Sequence, residues 1–228
     1  MKKRLLITVH LIIICVLFIL LANSCKKDDD DTSVTDIDGN VYNTITIGSQ
    51  VWIKENLKTT KYNNGDEIPN VTDGLAWSNL ATGAYCDFEN RSDYSATYGR
   101  LYNWYAVNTG KLCPTGWHVP SDNEFTTLIT FLGGQDVAGG KLKEQGTSHW
   151  LTPNTGATNE SKFTALPANH RLKEGTWDGT SNNGGHWWTS TSSIATNAWY
   201  YRMRFDNTIA NLVDDHKTYG FSVRCLRD

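Results

Sequence analysis

The sequence predicts an α+β fold, a single loop-rich domain with an N-terminal β-hairpin. Three observations carry this. Val41-Tyr42-Asn43-Thr44-Ile45-Thr46-Ile47 and Gln50-Val51-Trp52-Ile53-Lys54 are β-rich runs on either side of Gly48-Ser49, the punctuation of a hairpin. Ser121 stands three residues before Glu124 and just ahead of apolar Phe125, Leu128, Ile129 and Leu132, the pattern of a capped amphipathic helix. Nine Trp, ten Tyr and nineteen Gly accompany little helical periodicity elsewhere, so the rest of the chain has to run as short strands and turns.

The chain begins with Lys2, Lys3 and Arg4, followed by an apolar run from Leu5 to Ala22 broken only by Thr8 and His10, which reads as a secretory leader over residues 1–24. As a helix the run would measure about 27 Å, so length alone would also permit an uncleaved span. The ending Leu21-Ala22-Asn23-Ser24-Cys25 decides between them. It resembles the lipobox of bacterial lipoproteins, in which the cysteine thiol is diacylated and becomes the new N-terminus. Several acyl chains hold a protein firmly on a bilayer and one does not. Lys26-Lys27-Asp28-Asp29-Asp30-Asp31 cannot pack into a core, which makes residues 25–33 a lipidated cysteine and acidic spacer. The run also resembles the acidic export signal of Bacteroidota lipoproteins, which implies a lipid anchor in the cell outer membrane with the protein facing outward.

Removing Lys2, Lys3 and Arg4 from the 21 basic residues leaves 18 against 24 acidic ones, a net charge of about −6. That argues against nucleic acid as a partner, because a polyphosphate backbone demands a basic footprint. Of five cysteines, Cys15 leaves with the leader and Cys25 takes the lipid. Two of Cys86, Cys113 and Cys225 are then expected to pair in an oxidising compartment. Cys113 with Cys225 is the favoured pairing and Cys86 with Cys113 the competitor.

Along the domain, turn signals at Asn63-Asn64-Gly65 and Asp73-Gly74 break residues 55–98 into short pieces, with a short helix near Leu75–Leu80. The capped helix stops at Gly133-Gly134, and Val137–Lys143 reads as a second one. Trp187–Thr191, Trp199–Phe205 and Gly220–Leu226 read as strands. In the second, Arg202 and Arg204 alternate with Tyr201, Met203 and Phe205, giving one charged and one apolar face.

Four segments then stand out together: Tyr98-Gly99-Arg100-Leu101-Tyr102-Asn103-Trp104, Cys113-Pro114-Thr115-Gly116-Trp117-His118-Val119-Pro120-Ser121, Trp187-Trp188-Thr189-Ser190-Thr191 and Ser222-Val223-Arg224-Cys225. They resemble the Fibrobacter succinogenes major paralogous domain over residues 34–228. That family implies a secreted or lipid-anchored bacterial protein and no particular activity. The layout is also similar to the C-type lectin-like fold, in which a cysteine near the helix pairs with one in the last strand. That likeness implies the Cys113–Cys225 pairing. The Glu-Pro-Asn, Gln-Pro-Asp and Trp-Asn-Asp triplets of calcium-dependent lectins do not occur.

No catalytic constellation emerges. Asp214-Asp215-His216 offers too few ligands for calcium or zinc and reads as an exposed turn. His118 and His186 lack a nucleophile context and read as structural. Cys86 has no evident basic neighbour to lower its pKa. Arg100 and Arg224, each beside aromatic residues, read as internal ties. Neither a cofactor nor a metal is expected. The expected function is a non-catalytic binding or interaction module for a polysaccharide or a surface protein. Its expected face holds exposed Trp177, Trp187, Trp188 and Trp199 with Asn182, Asn183 and His186, since aromatic planes and polar tips suit glycans. The alternatives are an enzyme on a formylglycine-generating-enzyme-like scaffold, or a structural adhesin.

Overall fold

The hairpin forms where the sequence places it. In the computed structural model, which describes residues 32–179 and 182–228, β2 (Val41–Ile47) turns at Gly48 (φ 63°) into β3 (Gln50–Ile53), with Ile47 opposite Gln50. The leader, Cys25 and most of the acidic spacer lie outside the described residues. A short β1 (Ser33–Thr35) pairs along β2, and the compact unit runs Ser33–Asp228. Two further strands complete an antiparallel sheet in the order β1-β2-β3-β10-β6. Leu226 of β10 (Leu226–Arg227) pairs with Trp52 on one side and with His118 of β6 (Trp117–His118) on the other.

Between the hairpin and β6 the chain is as broken as its turn residues demand. It forms α1 (Gly74–Ser78), β4 (Tyr85–Cys86), a 3-10 turn (Phe88–Asn90), α2 (Ser92–Tyr98), β5 (Leu101–Tyr102) and α3 (Trp104–Val107). Gly99 ends α2 at φ 75°, and a Cβ there would sit 2.6 Å from Asn56 Cβ, so both conformation and space call for glycine.

The capped helix is α4 (Asp122–Phe131), with both bonds of the Ser121–Glu124 capping box present. Its buried stripe joins two sheets. The Phe125 ring lies 5.0 Å from Trp52 of the first sheet and stacks 4.4 Å from Tyr201 of a three-stranded antiparallel sheet, β7 (Gly184–Ser192), β8 (Asn197–Arg204) and β9 (Ala210–His216). Helix α5 (Gln135–Leu142) also contributes buried side chains to this core.

Two expectations need correction. Asp214-Asp215-His216 is not a turn but the end of β9, half-buried and paired with Asn197–Trp199, because β8 supplies a full antiparallel partner. Of Gly220–Leu226 only Leu226 lies in a regular strand, β10, and Gly220–Cys225 does not. Its backbone changes partner along its length: Gly220 pairs with Arg171, Phe221 with Tyr102, Ser222 with His186 and Trp188, Val223 with Leu57, and Cys225 with Ile53. The segment is a central strap on which the separate loops hang.

Those loops are held by indoles and cations. Trp77, Trp104, Trp150 and Trp188 are buried, each donating its Nε1–H to a backbone carbonyl, of Thr218, Thr189, Ala165 and Tyr102 respectively. Four cations, Lys143, Arg171, Lys217 and Arg224, are buried without a carboxylate within 4.0 Å among the described residues. Carbonyls and aromatic rings replace it. Lys143 Nζ donates to the carbonyls of Thr155, Arg204 and Asn207 at 2.8–3.0 Å. Arg171 lies between the rings of Trp77 (4.6 Å) and Trp177 (4.8 Å) and donates to the carbonyls of Val71, Thr72 and Gly175. A buried charge costs several kcal/mol unless hydrogen bonds satisfy it, so these ties are effective only while every carbonyl is in place. Arg100 is a half-buried tie of another kind, over Tyr85, bonded to the Lys58 carbonyl and paired with Asp87 Oδ1 at 3.3 Å.

Cys113 and Cys225 form a disulfide with Cα atoms 5.9 Å apart, closing a separation of 112 residues. Cys86 is free and buried.

Candidate functional site

The seven residues expected to form one exposed face do not do so. Trp187 and Trp188 are fully buried (0% exposed) and His186 nearly so. Their Nε1–H groups go to Asn56 Oδ1 and to the Tyr102 carbonyl, both at 2.9 Å. The reason is position. They occupy the part of β7 covered on one side by Phe221 and on the other by α4, so both faces of the strand are inside. Trp177 is half-buried, stacked on Arg171 and edge-on to Phe88. Trp199 is half-buried and lies opposite Asp214, on the sheet face of Tyr201 and Met203, whereas His186 is opposite Arg202 on the other face. Asn182 and Asn183 are half-buried just before β7. Their backbone bonds join Asn169, Leu151 and Phe205, so they serve as a loop junction.

What the structure does assemble is a polar cluster around His186. Its ring lies over Gly184, where a Cβ would come within 3.3 Å of the imidazole, and it stacks on Phe221 at 5.3 Å. The His170 ring is 4.3 Å away, 6.0 Å from Tyr219, with its Nδ1 3.8 Å from Asp178 Oδ2. Arg202 stands opposite His186 on β8. His170 Nδ1, His186 Nδ1 and Arg202 Nε are all buried with no hydrogen-bond partner, a state that costs about 1–3 kcal/mol per neutral group. Tyr219, Arg202 and Asp178 are only half-buried, so the cluster reaches the surface.

Charge in this cluster is set by burial. Desolvation, against the pull of Asp178, brings His170 down to about 4. Burial first, then His170, Arg202 and Arg204, hold His186 well below the usual histidine range. Both rings are therefore neutral at pH 7, each with one nitrogen able to donate and one to accept. Such a pair, with a guanidinium beside it, can hold hydroxyl or carbonyl groups, but it is poorly placed to deliver protons at neutral pH.

Other reactive types are accounted for differently. Cys86 packs among Trp77, Phe88 and Leu101, and burial pushes its thiol up to about 12 although Arg171, a basic neighbour the sequence did not reveal, pulls the other way. His118 is satisfied on both nitrogens, by Asp228 Oδ1 at 2.6 Å and Glu124 Oε1 at 3.0 Å. Those bonds outweigh its burial and raise its pKa. Among the described residues no three His, Cys, Asp or Glu side chains gather as a ligand set, and no helix is long and apolar enough to cross a membrane.

The sequence model of the Fibrobacter succinogenes major domain matches residues 45–227, from the middle of β2 to the last strand. The chain belongs to this family. No curated protein and no solved structure matches it. Within this Fibrobacter succinogenes major domain the four sequence motifs take on structural meaning: Gly99 and Arg100 anchor α2, Cys113 and Cys225 form the disulfide, Trp187 and Trp188 fill the core, and Arg224 ties two loops. His170, Arg202, Tyr219 and Asp178 escaped the sequence reading as site residues. Arg202 was visible as the polar phase of an alternating strand. His170 lies in a loop sixteen positions from His186, and nothing local marks it.

Proposed function

We propose that this Fibrobacter succinogenes major domain is a lipoprotein held in the outer membrane through Cys25, facing outward, and that it is a non-catalytic binding module for a hydroxyl-rich ligand such as a polysaccharide. The observation that carries the binding role is the His170–His186–Arg202 cluster, where three buried nitrogens lack a partner at the edge of a half-exposed face. Ligand hydroxyls would meet donors and acceptors already desolvated, next to the ring of Tyr219. The high pKa of Cys86 and the low one of His170 support binding over catalysis. The disulfide from Cys113, ahead of β6 and α4, to Cys225, the residue before β10, supports the C-type lectin-like reading of the layout. The address rests on the leader and on Cys25.

Two measurements test this. Protease shaving of intact cells, with mass spectrometry of the N-terminal peptide, is expected to release domain fragments and leave an acylated Cys25; an unmodified Cys25 would overturn the address. Binding to a polysaccharide panel is expected to be lost in Arg202→Ala with folding intact. Absence of binding across the panel counts against the ligand class.

A further inference from the structure

A second feature, sharing no residue with the outer cluster, lies around Arg224. This side chain is 1% exposed, yet it lines a cleft of about 140 Å³ together with Lys54, Glu55, Asn56, Thr97, Thr164 and Leu166. A guanidinium has five N–H donors. Nε goes to Asn56 Oδ1 at 2.9 Å, Nη1 to the Phe163 carbonyl and Nη2 to the Thr164 carbonyl at 3.0 Å, which leaves one hydrogen on each terminal nitrogen. All three acceptors are neutral, so the charge has no direct counterion.

The cleft is built rather than incidental. Asn56, 5% exposed, is fixed on every side: its Oδ1 accepts from Trp187 and Arg224, and its Nδ2 donates to the Tyr98 carbonyl and Ser222 Oγ. Thr164 is held at φ 55°, a conformation that is an outlier for a β-branched residue, and in it the carbonyl meets Arg224 while the N–H meets Asn159 Oδ1 at 2.9 Å. Glu55 is occupied, with both carboxylate oxygens bound to Asn43. The lining carries two cations, Lys54 and Arg224, against one carboxylate, a local charge of +1 on a domain whose mature form is acidic overall.

We propose that this cleft binds a single carboxylate group, carried by a small acid or by one hexuronic acid unit. A carboxylate matches the one N–H left over on each terminal nitrogen of the guanidinium and the single unit of excess charge. A phosphate dianion would bring a second negative charge against Glu55.

Ligand-observed NMR or calorimetry with sodium glucuronate, sodium acetate, glucose and tri-galacturonate tests this. Glucuronate is expected to bind and acetate to displace it, while glucose, the same ring without the carboxylate, binds at least about tenfold more weakly, as expected when a charge-assisted contact is lost. Binding of tri-galacturonate places the acid on a polymer, and its failure beside glucuronate binding restricts the site to free acids; both support the cleft. Because Arg224 also ties loops together, the variants are Lys54→Gln, expected to weaken glucuronate about threefold, the scale of one solvent-screened charge contact, and Leu166→Trp, which fills the cleft and is expected to abolish binding. Circular dichroism confirms that both are folded. No response to glucuronate or acetate, equal binding of glucose and glucuronate, or unchanged binding in both variants overturns the proposal.

Discussion

The Arg224 guanidinium lies 4.1 Å from the centroid of the Phe163 ring and donates to the carbonyl of the same residue. One side chain thus fixes both the ring and the backbone of a loop more than sixty positions away. The same device recurs at Arg171 and Lys143, and it explains how a chain with so little regular structure keeps one arrangement.

Arg224→Met keeps much of the apolar stem but leaves the carbonyls of Phe163 and Thr164 without their donor, while Asn56 Oδ1 keeps the indole of Trp187. At about 1–3 kcal/mol for each of the two unsatisfied acceptors, a loss of at least about 2 kcal/mol is expected. Urea unfolding measures it, and a loss below about 1 kcal/mol would contradict the tie.

Trp188→Ala is expected to cost about 3–5 kcal/mol, because a fully buried ring packed on Phe221 and Tyr200 is removed and a cavity remains. Trp199→Ala, at a half-buried position, is expected to cost less than half as much. Thermal unfolding of the two variants compares them directly, and equal losses would mean that the burial difference does not set the energetics.

The hairpin, the capped helix, its glycine stop and the two Trp-rich strands were legible because each is decided locally, by alternation, a capping box or turn residues. The disulfide was legible as the favoured of two pairings left by the cysteine count, and the fold likeness gave a second reason for it. The binding face was misread because aromatic density is the same for a platform and for a core, and only packing of Phe221 and α4 on either side of β7 decides which it is. The Gly220–Cys225 strap was also hidden. Its residues have strand character, but their partners are single residues scattered over the chain.

Cys113→Ser combined with Cys225→Ser is expected to lower stability by about 2–5 kcal/mol, given the length of the closed loop. In the intact protein Cys86 is expected to resist iodoacetamide until the fold opens, since it is buried and its thiol is pushed up to about 12. Mass spectrometry before and after urea reads this, and rapid alkylation of the native protein would contradict it.

Acid is expected to destabilise the domain in a window set by His170 and His186. Their folded pKa values lie below the usual 6.5, so the unfolded chain binds more protons and stability falls as pH drops from about 6.5 towards 4. His118 acts in the opposite sense: its raised pKa contributes stability below 6.5 that is lost as pH rises through the folded value. The lowered carboxyls of Glu124 and Asp38 come into play only as pH falls below their ordinary range near 4. His170→Gln is therefore expected to flatten stability between pH 6.5 and 4.5. An unchanged slope in chemical unfolding curves would contradict the assignment.

The binding role of the outer cluster is tested most directly by histidine-ring nitrogen NMR of the domain during titration with a polysaccharide from the binding panel. The His170 and His186 Nδ1 resonances are expected to shift together at saturation, while those of His118, held by Asp228 and Glu124, stay in place. A polysaccharide that binds and leaves both Nδ1 signals unmoved would contradict it.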